Sequence, residues 1–186
     1  MSKAKSKVAL LVIDMQKEYF EEGAPLKVPK GGEVLENIKR LVDAARVKKI
    51  PLMHIRHIGK DPDAFVFGAG SPLVKFADEL KPKAGEPAIT KTRPGSFYMT
   101  ELDDILLREG VETVVITGLM SFMCCDTTAR EAHARGYSVL FVRDATAAID
   151  IGGLSADTIH EVVLAVQGFN FSRVVTTDEA IAELSS

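Results

Sequence analysis

Tryptophan is absent from this chain, aromatic residues make up only 6% of it, and its two cysteines are adjacent, at positions 124 and 125. The core therefore has to be built from aliphatic side chains. Neighbouring cysteines provide no disulfide framework, and two reduced thiols suit a reducing compartment, so a cytoplasmic setting is expected. No apolar run approaches the roughly 20 residues needed to cross a bilayer, and the MSKAKSK leader lacks the apolar segment of a signal peptide. The net charge is -3, with Lys and Arg dispersed, so no basic block marks a nucleic-acid footprint. KVPKGGE places two glycines before a helical pattern but is neither GxGxxG nor a P-loop, and no GxSxG elbow occurs. Nucleotide binding and serine-hydrolase chemistry thus lack support, leaving a small molecule as the expected partner.

What is present is alternation. Positions 8–13 form a continuous apolar run, as expected of a strand covered on both faces. GEVLENIKRLVDAARVKK then places Val34, Leu35, Ile38, Leu41, Val42 and Ala45 at helical spacing. PLMHIRHI, PAITK, positions 111–117, YSVLFVRD and FSRVVTT read as five further strands. MTELDDILLREG, SFMCCDTTAREAHARG, SADTIHEVVLAVQGF and TDEAIAEL read as intervening helices, with Thr100 and Ser155 as N-caps and a short helix in SPLVKFADEL. This pattern predicts an α/β fold: a three-layer α/β/α doubly wound sandwich around a six-stranded, mostly parallel sheet. With no repeat and no linker, residues 1–186 are expected to form one domain, with about 1–6 as a flexible leader.

In such sheets a ligand binds beyond the carboxyl ends of the strands, where the strand order reverses. Asp14, His57, Lys91, Gly118 and Asp144 all fall at or just after predicted strand ends, and Cys124 opens a helix. A thiol at the first helical turn lies near unpaired backbone N–H groups that favour its thiolate, which makes Cys124 the candidate nucleophile. The bland alternative is a buried apolar cysteine; Cys125, one residue on, faces elsewhere and reads as packing. Asp14 is either a loop anchor or a carboxylate placed to take a proton. Lys91 is either an exposed strand-end lysine or the cation that organises acid and thiol. Asp144 serves equally well as a cap. His54 and His57, three apart on one strand, point to opposite faces, while His133 and His160 sit on separate predicted helices. They form a poor ligand set, so no metal and no cofactor is expected. Gln16, Phe20, His57, Phe97 and Phe122 are the candidate pocket residues.

Four stretches then carry a resemblance: ALLVIDMQKEYF, ITKTRPGSFYMTELDDIL, VVITGLMSFMCCDTTAREAHARGYSVLFVRDATAA and, more weakly, IHEVVLAVQGFNFSRVVTTDEAI. Together they resemble the isochorismatase-like cysteine hydrolases over nearly the whole chain. The resemblance implies strand order 3-2-1-4-5-6 and an Asp14–Lys91–Cys124 triad. It also implies a cis peptide at Met120–Ser121 that turns backbone N–H groups toward an oxyanion, and self-association into a homo-oligomer. The metal-dependent nicotinamidase branch has an Asp-x-His pair after the second strand; here that stretch offers Ile55 and His57, and no histidine follows in positions 59–85. The closer likeness is to amidohydrolase-type members resembling streptothricin hydrolase. The implied activity is hydrolysis of a C–N bond through a thioester. Vinyl-ether hydrolysis of the isochorismatase type, a thiol-redox role for the two cysteines, and a non-catalytic protein retaining the fold are the alternatives.

Overall fold

The computed structural model describes residues 7–184; the proposed leader at positions 1–6 lies outside them. Six strands, β1 (Val8–Ile13), β2 (Leu52–His57), β3 (Ala88–Lys91), β4 (Thr113–Leu119), β5 (Ser138–Ala147) and β6 (Arg173–Val175), form one sheet in the order β3-β2-β1-β4-β5-β6. Every pairing is parallel. The helices are α1 (Gly31–Lys48), α2 (Leu102–Arg108), α3 (Asp126–Ala134), α4 (Ala156–Val166) and α5 (Thr177–Glu183).

Strand alternation divides the core into two layers. Leu10, Val12, Val115, Leu140 and Val142 face the side covered by α1 and α5, where Ile38, Leu41, Val42 and Ala180 meet them. Ala9, Leu11, Ile13, Val114, Ile116 and Phe141 face the other side, against Leu102, Leu106, Ala129, Ala132 and Leu164. Helix ends follow their capping chemistry. Ser155 accepts from the Thr158 N–H, and Thr176 with Glu179 forms a reciprocal capping box on α5. Thr100 is not the N-cap of α2; Glu101 holds that place, while the Thr100 hydroxyl donates to the Ser96 carbonyl at 2.6 Å. SPLVKFADEL yields two single 3-10 turns in place of a helix: Pro72 opens the first, and the non-helical backbone at Lys75 and Ala77 interrupts the run.

Strand order reverses between β1 and β4, which places the crevice of a doubly wound sheet there. Gly118, opposite Ile13 in this pair, has φ +118°, and a Cβ built on it would overlap the Ile13 carbonyl oxygen. The register between β4 and β5 also shifts between Ile116 and Gly118. β5 consequently runs on to Ala147, so Asp144 lies inside the strand rather than at its end. Its Oδ1 accepts from the Thr177 N–H and hydroxyl at 2.7 and 2.9 Å, docking α5.

The close approach at Gly118 makes a specific demand. Gly118→Ala is expected to destabilise the chain by upwards of about 3 kcal/mol, because the new methyl meets rigid backbone at a positive φ. Urea unfolding followed by circular dichroism measures this; a loss under about 1 kcal/mol would show that β1 and β4 can separate at small cost.

Candidate functional site

Three chain segments end at this crevice. Asp14 follows β1 with a left-handed φ of 52°, a conformation aspartate tolerates better than most residues. Its N–H is held by the Ile55 carbonyl at 2.8 Å and its own carbonyl by the Gln16 N–H at 2.8 Å. Lys91 closes β3, opposite His57 in the register. Cys124 lies in a π-helical turn, Ser121–Cys125, between β4 and α3. The Met123 and Cys125 N–H groups both bond the Met120 carbonyl, at 3.1 and 3.2 Å, and so fix this turn. The non-proline cis peptide is Leu119–Met120, one residue before the expected Met120–Ser121.

The side chains converge. Lys91 Nζ is 2.7 Å from Asp14 Oδ2 and 3.2 Å from Cys124 Sγ, and it also contacts the Arg93 carbonyl at 3.2 Å and His57 Nδ1 at 3.3 Å. β3 and β1 are separated by β2, a span of roughly 10 Å at the usual strand spacing. A lysine has the reach to cross β2, where His57 is its register partner. Asp14 and Lys91 are fully buried, while Cys124 is 6% exposed. Apart from the Lys91 ammonium beside Oδ2, neither buried Asp14 oxygen has a hydrogen-bond partner among the described residues.

This burial sets the charges. Desolvation opposes the Lys91 charge, but attraction to Asp14 and Cys124 outweighs it and holds the ammonium above its ordinary value. For Cys124, burial and then the neighbouring Asp14 push the thiol well up, against the pull of Lys91. The helix-start argument for a resting thiolate is thereby corrected: the sulfur sits in a dry π-turn, and the dominant influence there is desolvation. Cys125 is completely buried and its thiol is likewise raised.

The pocket candidates fare unevenly. His57 is half-buried at the cluster. The Gln16 amide is engaged by the His57 N–H, the His57 carbonyl and the Val74 carbonyl at 2.8, 2.9 and 2.8 Å. Phe20 packs against Gly31 at the start of α1 and meets Tyr19 edge-on. Phe97 stacks on Tyr137 with Arg135 over its face, 4.5 Å from the ring centroid, so it belongs to the far end of α3. Phe122 is partly buried against the aliphatic layer that contains Leu119 and Met120. Two further aromatics that the sequence places in loops stand closer: Phe67 lies edge-on to His57 at 5.0 Å and to Tyr19 at 5.7 Å. Phe67 has a left-handed φ of 54°, and its carbonyl is bound by the Gly59 N–H at 2.8 Å. Its only sequence signal was its place in an aromatic-bearing loop.

His54 takes no part. Fully buried, it contacts Glu86 at 3.0 Å, and Arg46 holds the same carboxylate with two bonds of 2.8 and 3.0 Å. Among the described residues no group of three His, Cys, Asp or Glu side chains is gathered to hold a metal, and no helix is long and apolar enough to cross a membrane. A broad surface cavity of about 840 Å³, lined by Val8, Thr113, Ser138 and Phe171, opens at the amino ends of the strands, opposite this chemistry.

Residues 8–179 match the Isochorismatase domain family. The chain is 35% identical over 170 residues to a secreted isochorismatase effector of Verticillium dahliae, covering 91% of this chain and 88% of that protein. It is 29% identical over 192 residues to a maleamate amidohydrolase of Pseudomonas putida, covering 96% and 87%. A cysteine hydrolase from Pseudomonas syringae pv. phaseolicola superposes with a TM-score of 0.88 at 26% identity, covering 100% and 99%.

Acid should weaken this structure in two stages. Burial holds His54 and His57 below the ordinary imidazole value of 6.5, so below that pH the unfolded chain binds protons that the native chain refuses. Stability is expected to be complete above about pH 6.5 and to decline beneath it. A second loss, roughly 3 kcal/mol, follows as Glu86 protonates between its usual 4.5 and the value of about 2 set chiefly by Arg46. Urea midpoints across this range test both stages; a flat profile from pH 7 to 5 would contradict the first.

Proposed function

The chain belongs to the isochorismatase family of hydrolases, and on that premise we propose that it cleaves an amide or carbamoyl-type C–N bond of a small molecule through a thioester on Cys124. The observation that carries this reading is the buried Asp14 carboxylate, paired with the Lys91 ammonium at 2.7 Å and otherwise without a hydrogen-bond partner, in one cluster with the Cys124 thiol. Asp14 accepts the Cys124 proton as the sulfur attacks the substrate carbonyl. Backbone at Met120 and Ser121 is the proposed oxyanion site, the Met123 and Cys125 N–H groups being already bonded to the Met120 carbonyl. Collapse of the tetrahedral intermediate breaks the C–N bond, and the proton on Asp14 goes to the leaving nitrogen. Water then attacks the thioester, giving its proton to Asp14. The C–S bond breaks, and the sulfur recovers the proton. Lys91 holds the acid in place and balances the developing thiolate. An amidohydrolase among the relatives supports the bond type.

Self-association belongs to the same proposal. α4 buries only Leu164, leaving Val162 58% exposed, and Phe169 in the following turn is 91% exposed. A homo-oligomer covering this face is proposed, in a reducing cytoplasmic setting that suits two free cysteines. Sedimentation velocity is expected to give a species larger than the 20.2 kDa chain, reduced in size by Val162→Glu. A native monomer at micromolar concentration would remove this part of the proposal.

The chemistry is tested by intact-mass spectrometry after brief incubation with a panel of small amides and carbamoyl compounds. The native chain is expected to gain an acyl mass that clears with time, while Cys124→Ala gains none and loses turnover by at least about a thousandfold. Hydrolysis that persists undiminished in Cys124→Ala, or a panel yielding neither adduct nor product, would overturn the reading.

A further inference from the structure

An ammonium has three N–H donors. Lys91 Nζ nevertheless has four acceptors within 3.3 Å: Asp14 Oδ2, Cys124 Sγ, the Arg93 carbonyl and His57 Nδ1. Asp14 claims one donor by charge and by the shortest distance. The Arg93 carbonyl, part of the main chain two residues beyond Lys91, claims another. The sulfur and the imidazole are left to compete for the third.

His57 is built into place for this competition. The Gln16 amide grips both its N–H and its carbonyl, Phe67 packs against the ring edge, and β3 pairs Lys91 directly opposite. The charged groups facing the imidazole are Lys91 from β3 and Asp14 from the end of β1; the polar Arg93 carbonyl faces it from the loop after β3. We infer that His57 is a positioning residue that acts on Cys124 through Lys91, its Nδ1 lone pair competing with the sulfur for the third ammonium N–H. This deepens the hydrolase reading and rests on it for its relevance to turnover. Burial and the adjacent ammonium keep the imidazole below its ordinary value, in the neutral form this role needs; the role requires the tautomer with its proton on Nε2, which leaves Nδ1 as the acceptor.

The consequence is a directed exchange. A protonated thiol is a weak acceptor, so at rest the third N–H goes to His57. A thiolate is a stronger acceptor and draws the N–H to itself as Asp14 takes the thiol proton. Once the sulfur is part of a thioester it is weak again, and the N–H returns to His57. Lys91 therefore never carries an unpaired donor in a dry site, where one is costly.

The test uses alkylation of Cys124 by iodoacetamide at one fixed pH, followed by intact mass, with Cys124→Ala identifying the labelled site. His57→Phe keeps a buried ring and removes the acceptor; His57→Asn replaces the acceptor with an amide oxygen. Losing the competitor should raise the thiolate fraction about tenfold, partly offset by lower nucleophilicity, so His57→Phe should react about three- to fivefold faster. His57→Asn should react at the native rate. Should the Phe variant fail to fold, His57→Leu carries the same expectation. A His57→Phe rate equal to or below native, or equal acceleration in the Phe and Asn variants, would overturn the assignment. Alkylation requires no substrate, so a failure to find hydrolysis leaves this measurement intact, and the two readings fail separately.

Discussion

The ion pair between Lys91 and Asp14 governs the carboxyl end of this sheet. Both side chains are withdrawn from water at 2.7 Å. Neutralising either one alone would strand a buried charge, at a cost of about 3–5 kcal/mol. The pair joins strands that do not touch, since β2 lies between β3 and β1. Whatever holds β2 in register therefore holds the pair, which explains the three bonds that the buried Gln16 amide spends on His57 and Val74. The Arg93 carbonyl and His57 then give the ammonium the partners that a single carboxylate does not supply.

The dryness that secures this pair also works against the thiol. Sulfur in such a place is pushed toward its protonated form by burial and by Asp14, and Lys91 offsets this only in part. A reactive anion is therefore not stored in the resting site. The same Asp14 that disfavours the thiolate has, beyond its ion pair with Lys91, no hydrogen-bond partner on its buried oxygens, so repulsion and proton acceptance come from one group. Proton transfer from sulfur to Asp14 removes the repulsion as it creates the anion. Burial thus couples the two events, where an exposed thiol of ordinary acidity would not.

The parts of this arrangement legible in the sequence were those set by local pattern. The apolar run of β1, the helical spacing of α1 and the positions of Asp14, Lys91 and Cys124 at segment ends follow from periodicity and topology. Family resemblance supplied the strand order, which is the one found. What escaped depends on contacts between distant segments. Asp144 was placed at a strand end, but the register shift beside Gly118 lets β5 continue past it. Phe97 was placed in the pocket, yet Arg135 and Tyr137 claim it. Gln16 was a pocket candidate, and the main-chain bonds of its amide could not be read from local pattern. The π-helical turn at 121–125 shifts the expected helix start, because its geometry is fixed by the Met120 carbonyl rather than by any residue's helix preference.

The proposed role of His57 depends on what surrounds it. With Ile55 two residues before it and no histidine in positions 59–85, the stretch after β2 lacks the partners of a metal site. The imidazole has no second histidine in that loop with which to share a cation. It faces the Lys91 ammonium at 3.3 Å, and a positive ion on the same nitrogen would have to displace that contact against the charge already present. Neutral imidazole beside ammonium is the lower-energy arrangement, and burial reinforces it. The nitrogen is thus engaged by the catalytic lysine proposed here, and the site's electrostatics rest on one ammonium, one carboxylate and a thiol, with the imidazole as the acceptor that completes the set.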